Sequence, residues 1–544
     1  MQLLGKTLPL EETLTNMSNV FKKLDLKSTL SVELHPLKNC FSHNLSFDGA
    51  KNYIYSNGKG INHEASLASA YGEFIERLQT NNFFSDFYLP NRQHFPDEVV
   101  FEMEEFLDTA FDKKLKKIYD PNNELSGEDL IDFNSSYGDK IVTLPFTNLM
   151  TKQTVHIPQN FISNLYVSNG LASGNTPNEA KVQALSEIIE RYVKIKVIKE
   201  GLSLPTFPKA LLEKFDKLNE DIEILEANGY TIAVHDATLG GVYPVVAISL
   251  INPKNSTIFV SFGAHPILEV ALERTMSELM QGRDLTKLDS FETPTFDMQI
   301  VDDSSNIESH FVDSNGKIGF GFLSVKKSFP LTPWRYAGAN SEDEYDFLVA
   351  ILHSEKKEIF LREYDYLGFY SCQIIVPNFS EVYPIEDLIY NNKNQAKTIR
   401  DMVLNFKDYD YEEILDAILP LDNSIDIGKY IGVIFETPFT MLEFKAQIYI
   451  LLDELEEAKD LLLFSDTKLS KVVCEIIIME NENLDFNDFQ EGLFAIFGEK
   501  FVQKAIKIIA GNDFLIDISF GLKYQNILAL YDELTKHKKS NLIC

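Results

Sequence analysis

Cysteine is scarce in this chain: four in 544 residues, at Cys40, Cys372, Cys474 and Cys544, none of them two residues from another. That spacing gives neither a zinc knuckle nor a disulfide framework, and a reducing cytoplasm is the expected compartment. Positive charge is scarce too. Lys and Arg number 50 against 82 Asp and Glu, a formal charge of −32. Such a surface repels a polyanion at range, so no direct nucleic-acid partner is expected, although a local basic pocket stays open. No stretch reaches 18 uninterrupted apolar residues, and the start MQLLGKTLPLEETL lacks the charged beginning and long apolar run of an export signal. A soluble protein without a membrane segment is expected. Familiar nucleotide loops are missing as well. Gly5-Lys6-Thr7 reads like the end of a phosphate loop whose first glycine would precede residue 1, and Gly319-Phe320-Gly321 lacks the third glycine of a dinucleotide loop.

What the chain does contain is a repeat. SNGKGINHEASLASAYGEFIER (Ser56–Arg77) aligns with SNGLASGNTPNEAKVQALSEIIER (Ser168–Arg191) once the second is given two extra residues. Loop and helix match together and in order, which points to two related half-sites. Around them, KNYIYS, GYTIAVHD, VYPVVAISLI and TIFVSFG have strand character. Mixed strands and long helices predict an α/β domain over residues 1–390 with an internal duplication. Within it, Asp284–Lys317 reads as a surface excursion. Beyond Pro384 strand signals fade and helical periodicity takes over, so residues 391–544 are expected to form an all-helical domain, with tetratricopeptide-like pairs and a plain bundle both open.

The repeat helices carry unusual stripes. At about 100° per residue, Glu179, Gln183, Glu187 and Glu190 fall within roughly 80° of one another, opposite Val182, Leu185, Ile188, Ile189 and Val193. Only Lys194 offsets them there, with Arg191 on the edge. Ser69, Glu73, Glu76 and Arg77 form the matching stripe, and in ALERTMSELMQG the residues Arg274, Glu278 and Gln281 share a face. One such stripe is ordinarily a solvated face. Three of them, built from Glu, Gln, Ser and Arg beside the small residues Ala68, Ala70, Gly72 and Ala184, suit close approach instead. Carboxylates facing one another in a cleft need a counter-charge, because a buried unpaired ion costs several kcal/mol or more. A hard divalent cation supplies it, and Mg²⁺ prefers one or two carboxylates plus substrate phosphates to a full protein cage. Arginines among the carboxylates would then neutralise phosphate oxygens.

SLASAYGEFIER, SNGLASGNTPNEAKVQALSEIIERY and SFGAHPILEVALERTMSELMQGR, in that order, resemble the YcaO family. The likeness extends through TNNFFSDFYL, YDPNNELSG, LPFTN, IPQNFISNLYVSNG, LGGVYPVV and IIVP. The resemblance implies an ATP-binding α/β domain in which glutamates hold Mg²⁺ against the phosphates. Better-studied members phosphorylate a backbone amide oxygen of a peptide, and a nucleophile then displaces phosphate. Carried over residue by residue, Lys6, Ser69, Glu76, Arg77, Asn175, Glu179, Gln183, Arg191 and Arg274 would contact ATP, and Glu73, Glu76, Glu187, Glu190 and Glu278 would hold Mg²⁺. Thr13 falls near a family serine; Glu64 and Gln281 stay outside the set, and no catalytic residue is assigned.

Azoline-forming members end in a proline-rich tail, whereas no proline follows Pro438 here and the chain ends KSNLIC, which speaks against cyclodehydration. One bacterial member is instead linked to methylthiolation of an aspartate in a small-subunit ribosomal protein. The implied partners are a peptide or ribosomal protein substrate, a radical methylthiotransferase and a second copy in a homodimer. An ATP-dependent modifying enzyme and a nucleotide-sensing accessory protein are both open. Three residues take plainer readings: His265 as a packed turn histidine, Trp334 as core and Cys544 as inert.

Overall fold

The computed structural model describes residues 2–288, 290–312 and 315–540; Cys544 lies outside them. Among the described residues twelve strands form three sheets, and every strand pair is antiparallel. The first is β1 (Ser28–Leu37), β2 (Cys40–Phe47) and β3 (Tyr55–Gly60), in that order. The largest runs β4 (Val99–Phe101), β5 (Ile141–Asn148), β11 (Phe360–Tyr364), β12 (Tyr370–Ile375), β7 (Leu171–Gly174), with β6 (Thr154–Pro158) also on β5. The third is β8 (Thr231–Asp236), β9 (Val245–Asn252) and β10 (Thr257–Ala264), in which β10 is an edge. The mixed α/β class expected from the sequence is the class observed.

Numbering only the helices that bear on the site and its support, α1 spans Leu10–Lys23, α2 His63–Gln79, α3 Pro177–Lys199 and α4 Leu268–Met280. Alternation along β9 and β10 places α3 and α4. Val245, Ala247, Ile258, Val260 and Phe262 share a core with Val182, Leu185 and Ile188 of α3, whereas Val246, Ile248, Leu250 and Phe259 share another with Leu272, Met276 and Leu279 of α4. Successive strand residues point to opposite faces, so this sheet is covered on both. That explains why β10 reads as a continuous apolar run.

The duplication has a geometric counterpart. Each copy is an edge strand, a tight turn and a helix. The Asn62 side chain caps α2 by accepting from Ala65 N, and Thr176, at the aligned position, caps α3 by accepting from Glu179 N. A Cβ on Gly60 would stand 2.5 Å from Ser66 N, and one on Gly174 2.7 Å from Ala180 N. Only glycine lets strand and helix approach so closely, and both copies place it at the same step.

Two features depart from the sequence expectation or qualify it. Asp284–Lys317 is not a surface excursion: Leu288, Phe291, Val301 and Ile307 are buried within it, and its helix α5 (Ser304–Val312) belongs to a small core with Ile195 and Ile198 of α3. Its apolar residues are too few and its helices too short for a periodic signal. The other feature is packing across residue 390. One core joins Leu10, Met17, Phe74 and Phe84 to Val403 of α6 (Ala396–Leu404), Phe444 of α7 (Met441–Leu451), and Tyr524 and Tyr531 of α8 (Leu522–Ser540). Tyr524 donates to Tyr88 O at 2.6 Å, and the buried Lys538 ammonium donates to Asn81 Oδ1, just past the end of α2, at 2.6 Å. The region beyond 390 is helical, and part of it packs around a core of its own centred on Val472, Val473 and Ile476. Among the described residues no helix is long and apolar enough to cross a membrane. Cys40, Cys372 and Cys474 are buried free thiols.

Candidate functional site

The three stripes converge on one cavity of about 880 Å³. Helix α2 brings Ser69, Glu73, Glu76 and Arg77; α3, with the turn before it, brings Asn175, Glu179, Gln183, Glu187, Glu190 and Arg191; α4 brings Arg274 and Glu278; the N-terminal segment brings Lys6. Every residue carried over from the sequence lines this space. Thr13 lines it too, and Glu64 does not.

The two repeat helices present the same local ion pair. Arg77 Nη2 lies 2.5 Å from Glu73 Oε1, and Arg191 Nη1 lies 3.1 Å from Glu187 Oε1, one helical turn apart in each case. Each arginine is thereby aimed along the carboxylate row. Between helices, Arg274 Nη1 donates to Gln183 Oε1 at 2.8 Å, tying α4 to α3. Glu190 Oε2 accepts from Ala264 N at the end of β10 at 3.1 Å. The Ser173 hydroxyl of β7 donates to Gly72 O at 2.7 Å, which holds the middle of α2 against the large sheet.

Glu179 has a different task from the other carboxylates. It is 4% exposed and accepts from Thr7 N at 3.1 Å, Thr7 Oγ1 at 2.8 Å, Asn175 Nδ2 at 3.3 Å and the Lys6 ammonium at 3.3 Å. The N-terminal segment is thus pinned across one wall of the cavity. Burial alone would raise the Glu179 carboxyl, but Lys6 and the Thr7 bonds outweigh it and hold it below the ordinary glutamate value.

Electrostatically the cavity is unlike the surface around it. Seven carboxylates and eight Lys or Arg side chains line it, so within a chain of charge −32 this one space is close to neutral and can admit a polyanion. Burial, with Glu187 and Glu73 alongside, pushes Glu76 well above the ordinary carboxylate range, and burial with Glu190 raises Glu187 despite Arg191. Burial lowers the Lys194 ammonium to about 8, with Glu190 opposing. Glutamates raised by burial and by one another are what a hard cation would neutralise. The oxygen-rich donor set fits Mg²⁺, and the buried Asn175 Oδ1 has no hydrogen-bond partner within the protein.

Several cavity residues were not assigned from the sequence. Lys59, which pairs with Glu278, stands in the first copy where the second has Ser173. Lys194 donates to His310 O at 2.6 Å, and Phe311 packs 5.9 Å from the Arg191 guanidinium; both contacts come from the segment read as an excursion. Gln281, left outside the set, lines the cavity and donates to Asn57 O at 2.9 Å. The break between the two repeat copies at Lys59 was a usable signal; nothing in the sequence marked Phe311. His265 is buried, its Nδ1 accepting from Ile267 N at 3.0 Å, and it also borders the cavity. Trp334 is partly buried against the core shared by β9, β10 and α4 and donates to Pro266 O at 2.5 Å.

The chain is similar to several known proteins. The family model described as YcaO cyclodehydratase, ATP- and Mg²⁺-binding, matches residues 57–380. An uncharacterized protein of Haemophilus influenzae is 36% identical over 99% of both chains. The ribosomal protein S12 methylthiotransferase accessory factor YcaO of Escherichia coli is 42% identical over 77% of this chain and 73% of its own. Among solved structures, YcaO from Methanopyrus kandleri bound with AMPPCP and Mg²⁺ covers 71% of this chain and 94% of its own at 13% identity and a TM-score of 0.44.

Proposed function

The chain belongs to the YcaO family, and on that premise we propose that it binds Mg·ATP in the cavity between α2, α3 and α4 and uses it to activate a peptide backbone amide, in the service of methylthiolation of a small-subunit ribosomal protein. The observation that carries the reading is the cavity itself: carboxylate stripes from three helices, two of them duplicated copies, enclose one nearly charge-balanced space in a strongly acidic protein.

In this reading Glu73, Glu76, Glu187, Glu190 and Glu278 hold the metal ions, and Lys6, Arg77, Arg191 and Arg274 hold the phosphates. Ser69, Asn175, Gln183 and Glu179 complete the nucleotide's surroundings. Mg·ATP supplies the phosphoryl group: the amide oxygen bonds to the γ-phosphorus, the β–γ bridging bond breaks, and ADP leaves. An amide oxygen is a poor leaving group and a phosphate a good one, so the carbon is opened to a nucleophile. Charge on the transferred group is stabilised by guanidinium groups already oriented by Glu73, Glu187 and Gln183, without reorganisation during the step. A reducing cytoplasm and a homodimer belong to the same reading.

The name of the Escherichia coli relative favours a second reading, in which the chain senses nucleotide and acts on a radical methylthiotransferase without making a covalent product of its own. Incubation with ATP, Mg²⁺ and ribosomal protein S12, followed by intact-mass analysis of S12 and phosphate release, separates them. Phosphate release stimulated by S12, with a mass change in S12, is the expected result. Mg·ATP binding with neither leaves the sensor. Absence of Mg·ATP binding by calorimetry would refute both.

A further inference from the structure

Glu33 and His43 are direct cross-strand partners on β1 and β2, and His63 is the first residue of α2. Among the described residues these three bring one donor atom each within 4.8 Å of one another. Glu33 Oε1 lies 2.9 Å from His63 Nδ1, Glu33 Oε2 lies 3.6 Å from His43 Nε2, and the two imidazole rings meet edge to face at 4.8 Å.

His43 is held by its surroundings. Its Nδ1 lies 2.7 Å from Ser66 Oγ, which also lies 3.0 Å from His63 O. Its Nε2 is buried, has no hydrogen-bond partner, and faces Glu33 Oε2 at 3.6 Å. A buried, unpartnered imidazole nitrogen aimed at a carboxylate marks a place for a cation, and Ser66 would then be the outer partner that holds the ring of a ligating histidine.

We infer that Glu33, His43 and His63 form a site for a first-row divalent transition metal of the zinc class, distinct in its donors from the Mg²⁺ positions although His43 also lines the carboxylate cavity. Two imidazoles and one carboxylate are a donor set that selects such ions over Mg²⁺. Three donors each about 2.1 Å from an ion stand roughly 3.4 Å apart, which this trio reaches by small side-chain rotations. His63 and Glu33, 51% and 49% exposed, are free to make them, while buried His43 is the fixed point. With only three protein ligands, a further coordination position remains for water or an incoming group. The ion would join β1, β2 and the first turn of α2, the helix that carries Ser69, Glu73 and Glu76 into the cavity.

The test uses the full-length protein stripped with a chelator and titrated with Co²⁺ alone as the probe, in excess Mg²⁺ to saturate the oxygen sites. One equivalent should develop the visible ligand-field absorption of a four- or five-coordinate nitrogen and oxygen site, and one equivalent of Zn²⁺ should abolish it. His63→Asn and Glu33→Gln, both at exposed positions, should each weaken Co²⁺ at least about tenfold, with circular dichroism unchanged. His43→Ala should do the same if it folds, and the two exposed variants decide the matter if it does not. Wild-type protein without the absorption would overturn the assignment. So would exposed variants that bind like wild type, or loss of the signal in Glu187→Gln but not in His63→Asn, which would place the ion in the carboxylate cavity.

Discussion

Replacing Glu179 by alanine removes the carboxylate that ties residues 6 and 7 to α3, and the structure sets the size of the effect. The two Thr7 bonds end on a buried, charged oxygen, a class worth about 1.5–3 kcal/mol each. Lys6 is 40% exposed, so its ion pair adds little. Local opening of the N-terminal segment should therefore become easier by about 3–6 kcal/mol, which at tenfold per 1.4 kcal/mol is a loss of roughly 10²–10⁴ in amide protection at Thr7. Glu179→Gln keeps an oxygen for Thr7 and should fall between. Hydrogen exchange followed by mass spectrometry on the N-terminal peptide reads this directly, with peptides of β9 and β10 as the control for global stability. The acid limit has a definite sign. The folded-state carboxyl lies below the ordinary value of 4.5, so its contribution is complete above that pH and is lost as pH falls through the lowered value. Unchanged exchange of the N-terminal peptide in Glu179→Ala, with the control peptides intact, would refute the pin.

Three further outcomes are expected. Glu187→Gln and Glu190→Gln should abolish ATP turnover with thermal stability nearly unchanged, and calorimetry giving wild-type Mg·ATP affinity in both would remove them from the site. Arg191→Lys and Arg274→Lys should each weaken Mg·ATP binding by about tenfold or more, since lysine cannot keep the planar contacts with Glu187 and Gln183 while engaging phosphate; wild-type affinity in both would count against phosphate contact. Lys194, lowered to about 8, loses its charge as pH rises through that value, so Mg·ATP affinity should decline above pH 8 and binding there should take up a proton. Calorimetry in buffers of different ionisation enthalpy measures that uptake, and a Lys194→Met variant with the same proton uptake would assign it elsewhere.

The legible part of the site was the part written in helical period. Glu73 with Arg77 and Glu187 with Arg191 are one turn apart in sequence and in space, so their facing followed from 3.6 residues per turn. The order of motifs did the rest, because the repeat and the third helix could be set beside a known family. Cations whose partners come from distant segments were harder. Lys59 reaches Glu278 across 219 positions of chain and Lys194 is steadied by His310 of a non-periodic segment, and no local pattern encodes such distances. Strand identity was legible in GYTIAVHD, VYPVVAISLI and TIFVSFG but not in KNYIYS, where residues 51–54 turn and β3 begins only at Tyr55; the antiparallel order β4-β5-β11-β12-β7 was not legible, since it depends on which edges the helices leave open. The trio Glu33, His43 and His63 was likewise silent, being spaced by strand register rather than by a ligand motif.

The core that joins Leu10 to Leu534 also governs when the site can exist during synthesis. The last residue lining the cavity is Phe311, so every group that would touch a nucleotide has been polymerised while more than two hundred residues are still to come. Yet Phe84 waits for Tyr531, Tyr88 for Tyr524, and Asn81 at the end of α2 for Lys538. Contacts of such sequence separation close slowly and late. A nascent chain therefore carries the residues of the cavity before it carries the brace that sets them, and a chain ending before α8 would have the cavity's side chains without the contacts that tie the end of α2 in place.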